Sequence, residues 1–277
     1  MSEKSVRSPI ALLLIAIVVL YAGILIAAPV LTIIGGAFQD GIQPVLEQLT
    51  SPDALAALKL TAILTVLAAA INTTLGVGVA WVLVRQNFPG KALLNGLVDL
   101  PFVMSPVIVG FVVVVLFGRQ GWINNLPFQV AFAFPGMLLV TVFVSLPFVI
   151  REVMPVLAAL TPEQEEAART LGASQLTVFR RIIFPGIRHG VVYGLVLTLA
   201  RALGEFGAAA VAGGGIKGLT ETATIYVYRT LQNRNEVGAY SMAILLGLIS
   251  IAVLITMNLL RHRSVAEKES RYVDLAE

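Results

Sequence analysis

Between Arg7 and Asp40 the chain carries no charged side chain. That run exceeds the roughly 20 residues a helix needs to cross a bilayer core. A chain committed to lipid must satisfy its backbone polar groups internally, which leaves helices or a closed barrel. The rest of the sequence agrees with helices. Further apolar stretches follow, each as long as a helical span and each bounded by polar or charged residues. Charged residues make up only 13% of the chain, about half the roughly 25% of a soluble domain. The expectation is an all-α integral membrane protein with six transmembrane helices.

The spans read as Ile10–Ile34, Leu60–Val84, Leu100–Gly118, Phe134–Ile150, Ile187–Ala212 and Val237–Leu260. Pro101 opens the third span and Pro106 interrupts it; Arg151 closes the fourth; the fifth holds Arg201 and Glu205. A polar loop with room for a short helix runs from Phe38 to Asp53, a short basic turn from Arg85 to Leu94, and a Gly-rich then polar loop from Gly213 to Glu236. The run after Lys4 and Arg7 is too long for a signal-peptide core, so the first helix is expected to stay in the mature protein. Lys4, Arg7, Arg85, Lys91, Arg151, Arg169, Arg180, Arg181, Arg188 and the basic tail from Arg261 all fall on one side. The positive-inside rule makes that side cytoplasmic, with both termini there. The organisation expected is an N-terminal helix and outer loop over 1–56, a five-helix core over 57–262 and a cytoplasmic tail over 263–277.

One long stretch is polar. Leu160–Gly186 reads LTPEQEEAARTLGASQLTVFRRIIFPG. Thr161 is a helix N-cap with Pro162 in the first helical position, and Gln164 is placed to complete a capping box. Glu163, Glu165 and Glu166 crowd the first turn, where the helix dipole favours negative charge. Glu165 and Arg169 stand i,i+4 in the favourable order. Gly172 is placed to end the helix in a left-handed conformation. The helix of 162–172 would be about 15 Å long. Ala167, Ala168 and Leu171 form a small apolar edge suited to another protein's cleft.

Glu166-Ala167-Ala168, three residues, Gly172, nine residues, then Ile182-Ile183-Phe184-Pro185 resembles the EAA-x3-G-x9-I-x-L-P signature of ATP-binding cassette importer permeases. Phe184 stands where leucine is usual. DLPFVMSPVIVG at 99–110, LPFVIREVMP at 146–155 and ARALGEFGA at 200–208 are similar to the sulfate/thiosulfate type, most of all to its W-type subunit; Gly204–Ala208 is also similar to molybdate permeases. The resemblance implies a type I importer permease fold and a cytoplasmic coupling helix. Glu165, Glu166, Ala167, Ala168, Leu171, Gly172 and Pro185 would carry the contact with the ATPase. It implies a second homologous permease as heterodimer partner, two cytoplasmic ATP-binding cassette subunits and an extracytoplasmic sulfate-binding protein. ATP and Mg would be bound by the ATPase partner, with no cofactor held by this chain. Molybdate or tungstate is the alternative cargo.

Arg201 and Glu205 are i,i+4 inside a span, where ionisable groups are costly and usually pair. Arg201 reads either as positive charge offered to a passing dianion or as half of an ion pair that fixes packing. Asn72 and Pro106 are further candidates for the translocation path, with packing as the competing role. Gly186, Gly190 and Gly194 form a doubled GxxxG, a close-packing seam within the subunit or against its partner.

Other signals do not fit chemistry. Gly213-x-Gly215-x-x-Gly218 follows a membrane span rather than a strand, so it is not a nucleotide fingerprint. The sequence has no GxxxxGK[ST], no HExxH, no GxSxG and no cysteine. His189 and His262 are isolated. No catalytic or metal-binding residue is therefore assigned, and nothing points to nucleic acid; lipid is the surrounding medium. The competing class is a secondary transporter that needs no ATPase. Such folds commonly carry inverted repeats and broken helices, and no repeat is apparent here.

Overall fold

The computed structural model describes residues 9–123 and 125–274, and the described residues are helical throughout with short connections. Lys4 and Arg7, counted above as inside positives, lie outside them, as does the end of the tail, 275–277. Twelve α-helices follow in order: α1 (Pro9–Phe38), α2 (Ile42–Leu49), α3 (Pro52–Arg85), α4 (Lys91–Val103), α5 (Pro106–Phe117), α6 (Phe134–Ala158), α7 (Pro162–Thr170), α8 (Gln175–Val178), α9 (Phe184–Leu203), α10 (Gly207–Gly213), α11 (Ala223–Gln232) and α12 (Glu236–Asp274).

Among the described residues, five stretches are long and apolar enough to cross a membrane: Ala11–Phe38, Pro52–Arg85, Phe134–Ala158, Gln175–Leu203 and Glu236–Thr256. The expected third span is not a straight helix. It is α4 and α5, bent by 109° at Met104 and Ser105. Pro106 is the cause: it lacks an N–H and drives the residue before it out of the helical region, and Met104 and Ser105 are both extended. At 12 residues, α5 is only about 18 Å long and cannot span by itself. With the bent pair counted as one, six spans result.

The fifth span also differs from expectation. It stops at Leu203, and Gly204–Phe206 separate it from α10. The carboxylate of Glu205 accepts the Ala208 N–H at 2.9 Å, so a buried side chain starts a new helix where the old one would have continued. Three other boundaries move outward: α3 begins at Pro52, α6 runs past Arg151 to Ala158, and α12 passes Leu260 to Asp274. The Gly213–Glu236 loop contains α11, whose Ala223, Ile225, Tyr226 and Thr230 are buried.

Small residues let α3, α6 and α9 pack as the central layer. A methyl on Gly76 of α3 would fall 2.7 Å from Val149 Cγ1 of α6, and one on Gly194 of α9 would fall 2.7 Å from Val149 Cα. At Val149, which is fully buried, α9 therefore meets the α6 backbone and α3 rests on the valine side chain. By contrast α1 is exposed along nearly its whole length and rests on α12.

The bundle has two distinct ends. At one, Lys217 Nζ meets Asp53 at 2.7 Å, Asn235 donates to Gln48, and Ala223 N–H donates to the buried Thr61 hydroxyl at 2.8 Å. At the other, α3 terminates at Arg85 beside α7.

Candidate functional site

The polar segment forms the helix that its sequence predicts, but its entry is held differently. Thr161 has the extended backbone of an N-cap and Pro162 opens α7, yet no side chain caps it, so the expected box with Gln164 does not form. Glu165 does not pair with Arg169. It turns inward to Arg85, whose Nη2 and Nε lie 2.8 and 3.0 Å from Oε1. The Arg85 Nη2 also donates to the Leu160 carbonyl at 2.9 Å. One guanidinium thus binds the carbonyl of the residue before the α7 N-cap and a carboxylate on the first turn of α7.

The far end of α7 behaves as expected. Gly172 has φ 82°, a left-handed conformation that costs other residues free energy. Its N–H donates to Arg169 O and the Ala173 N–H donates to Ala168 O, at 2.9 and 3.0 Å. Those two bonds are a Schellman stop. Space around Gly172 is open, so the backbone angle alone demands glycine.

The small apolar edge divides. Ala168 turns inward with Ala173 against the core of α3, α6 and α9. Ala167 faces out, and Leu171 is 88% exposed. Glu163, Glu166 and Arg169 are exposed around them. The free surface of α7 is therefore an apolar tip with charges on its flanks. Behind it, a hollow of about 530 Å³ lies between Trp81 and Gly78 of α3 and Arg169, Gln175 and Phe179.

Pro185 stands exposed in the first turn of α9. Just before it, Phe179–Ile183 form a π-helical turn in which the Phe184 N–H reaches back to Phe179 O. Pro185 has no N–H to offer the next carbonyl, which fits a widened turn at that place.

The path candidates each make contacts within the subunit. Asn72 is fully buried and donates from Nδ2 to Ser145 Oγ at 2.8 Å, joining α3 to α6. Pro106 begins α5 and sits against α10, where a methyl on Gly207 would lie 3.6 Å from it. Arg201 Nη1 and Glu205 Oε2 form an ion pair at 2.7 Å, with the glutamate side chain 2% exposed. The Glu205 backbone carbonyl also accepts from Thr224 at 2.7 Å. Glu205 thereby ties α9, α10 and α11 together.

Gly186, Gly190 and Gly194 all face α6 and its end. Added methyls would lie 2.7 Å from the Leu160 side chain, 2.8 Å from the Glu152 carbonyl and 2.7 Å from Val149 Cα, respectively. The seam is within the subunit.

Several polar groups matter that sequence spacing did not reveal. Arg85 is one. Arg151 forms a second cluster, pairing with Asp99 at 2.6 Å and donating to the Asn95 side chain and carbonyl, which clamps α4 to α6. Arg229 pairs with the buried Glu221, and this hydrogen bond holds the guanidinium above its ordinary pKa. All are long-range or loop-borne pairs, so helical periodicity could not signal them.

Residues 72–265 match the family model described as a binding-protein-dependent transport system inner membrane component. The chain is 42% identical over 256 residues to the sulfate transport system permease protein CysW of Synechocystis sp., covering 91% of this chain and 93% of that protein. It is 41% identical to the Escherichia coli CysW, covering 90% and 87%. It is 35% identical to the E. coli sulfate transport system permease protein CysT, covering 78% and 80%. A chain of the bacterial alginate ABC transporter, crystallised with an alginate pentasaccharide-bound periplasmic protein, shares the fold. The TM-score is 0.72 at 20% identity, with 91% of this chain and 94% of that one covered.

Proposed function

Because the chain belongs to the family of binding-protein-dependent transport system inner membrane components, we propose that it is the permease subunit of an ATP-driven importer that moves sulfate. Thiosulfate is proposed as a second cargo of the same charge and shape class. The observation that carries the reading is the 40–42% identity, over about nine-tenths of the chain, to sulfate permeases from three bacteria. The permease core is assigned to 57–262, after an N-terminal helix and outer loop.

In this reading α7 is the coupling helix and its end of the bundle faces the cytoplasm. The basic residues Arg85, Lys91, Arg169, Arg180 and Arg181 favour that orientation. The tip formed by Ala167 and Leu171 enters a groove of a cytoplasmic ATPase subunit, and Glu163 and Glu166 meet charges at its rim. Gly172 keeps the tip short by ending the helix. Pro185 opens α9 directly after the coupling segment. The ATPase pair binds and hydrolyses ATP with Mg; this chain contributes no nucleotide site. A second permease of the CysT kind completes the path, and an extracytoplasmic binding protein delivers the anion. Closure of the ATPases moves α7, and the central layer of α3, α6 and α9 follows as a packed unit.

The test is uptake of labelled sulfate into vesicles holding the assembled complex. Uptake is expected to require ATP and the binding protein, and to be inhibited by excess thiosulfate. Stronger inhibition by molybdate or tungstate than by thiosulfate would reassign the cargo. Uptake driven by an ion gradient without ATP would remove the importer reading altogether. Glu166→Arg is expected to release the ATPase while the spans still insert.

A further inference from the structure

We propose that Arg85 is the positioning residue of α7, and that its grip on Glu165 and Leu160 makes α3 the strut through which α7 moves the far end of the subunit. This rests on the coupling reading of α7. The grip is built from two points. The guanidinium holds Glu165 at 2.8 Å and the Leu160 carbonyl at 2.9 Å. These points bracket the uncapped entry of α7 at Thr161, so the angle at which α7 leaves α6 is set from α3 and not by the helix's own cap. Both charged side chains are largely shielded, 13% and 8% exposed. A shielded pair acts as a unit, since removing either member strands the other's charge.

The helix that carries Arg85 reaches the opposite end. At 34 residues, α3 is about 50 Å long. Near its start, Asp53 pairs with Lys217, and Thr61 accepts the Ala223 N–H. Ala54 and Ala57 pack with Ala223, Tyr226 and Met242. One rigid element therefore touches α7 at its last residue and the 213–226 region in its first turns. The direct packing behind α7 is partial: Ala168 and Ala173 reach the core, but the hollow lined by Trp81 and Phe179 leaves part of the space between α3 and the π-helical turn unfilled. A displacement of α7 reaches α3 most directly through the ion pair.

The alternative, a merely structural pair, predicts a different outcome, so the readout is sulfate transported per ATP hydrolysed by the full complex in vesicles. In Arg85→Ala the ATPase is expected to remain bound and to hydrolyse ATP, while sulfate per ATP falls roughly fivefold or more. Arg85→Lys should recover part of the ratio, since it keeps the charge but not the two-point fork. The chain has no cysteine, so Arg85→Cys with Glu165→Cys gives a unique pair for a short reductant-cleavable bis-thiosulfonate. Bridging is expected to raise the ratio toward wild type, and reduction to lower it again.

An unchanged ratio in Arg85→Ala overturns the proposal. Arrest of transport by the bridge also overturns it, because a strut stays closed through the cycle. Loss of assembly in every variant would make Arg85 a folding residue and defeat the proposal too. If the wild-type chain fails to retain an ATPase at all, the coupling reading falls first and this inference with it.

Discussion

The α6–α9 seam and the attachment of α7 are opposite solutions to holding a helix. Along the seam three glycines bring α9 onto α6 or its end so closely that a single methyl would strike the Glu152 carbonyl or Val149 Cα. At α7 a few groups turn inward, Glu165 and Ala168 among them, while Ala167, Leu171 and Glu166 face out. The seam gains stability from many small dispersion contacts, which are lost together when the backbones part. The α7 attachment depends on charge and direction. A subunit that transmits motion needs both: a centre that moves as one body, and an extremity whose angle is set at few points.

The largest expected effect is in the seam. Gly194→Leu would force the backbones of α9 and α6 apart at Val149 and should cost more than about 3 kcal/mol, beyond the usual range of overpacking. Gly190→Leu should act similarly, against a carbonyl oxygen that cannot rotate away. Gly186→Ala should cost less, because the nearest atoms belong to the Leu160 side chain, which can change rotamer. Thermal unfolding of the detergent-solubilised complex measures all three. Equal losses at 186 and 194 would show that the backbone approach is not what the seam depends on.

The Arg201–Glu205 pair comes next, and it sharpens which kind of attachment the broken fifth span uses. Arg201→Met leaves the buried Glu205 with the Ala208 N–H but without its cation. Removing one member of a buried pair costs up to about 3–5 kcal/mol, and Arg201 at 30% exposed should fall below that. Arg201→Met with Glu205→Gln should recover most of the loss, since glutamine keeps the bond to Ala208. If the double variant folds yet takes up sulfate with a greatly raised KM, Arg201 faces the path as well as Glu205.

A smaller effect is expected at the end of α7. Gly172→Ala places a Cβ in open space but at φ 82°, which costs about 1–2 kcal/mol. The helix end should fray, shown by faster hydrogen exchange over 168–174, while the thermal midpoint of the complex hardly moves. A large drop in that midpoint would mean that α7 is integral to the core and not an appendage of it.

The membrane class, the spans and the polar helix were legible because each is written in local pattern: charge-free length, proline and glycine position, i,i+4 spacing. Gly172 is a clear case, since a left-handed stop demands glycine from neighbouring backbone atoms alone. The breaks at Ser105 and Glu205 were only half legible. Pro106 is visible in the sequence, but the packing of α10 against the helix it opens is not. Glu205 was visible as a buried charge, but not as the acceptor that starts α10. The i,i+4 spacing points Glu165 at Arg169, whereas its actual partner is 80 positions away in the chain. Helix α11 is masked in the sequence by a glycine-rich approach that resembles a loop, although Thr222 before Ala223-Thr-Ile-Tyr-Val is a usable start signal.

The smallest effect separates the two ways of holding α7 most cleanly. Were Thr161 and Gln164 joined in a capping box, Thr161→Ala would cost about 1 kcal/mol of helix stability. The Thr161 side chain makes no cap bond here, so Thr161→Ala and Gln164→Ala should each change stability by less than about 0.5 kcal/mol, the range of ordinary surface substitutions. Hydrogen exchange at 163–166 should be unaltered in both, and should accelerate in Arg85→Ala. The opposite ranking, with Thr161→Ala loosening the first turn and Arg85→Ala leaving it intact, would place the control of α7 in its own sequence. The contrast between a packed seam and an externally gripped helix would then fail at its second term, because α7 would be held locally, as an ordinary surface helix is.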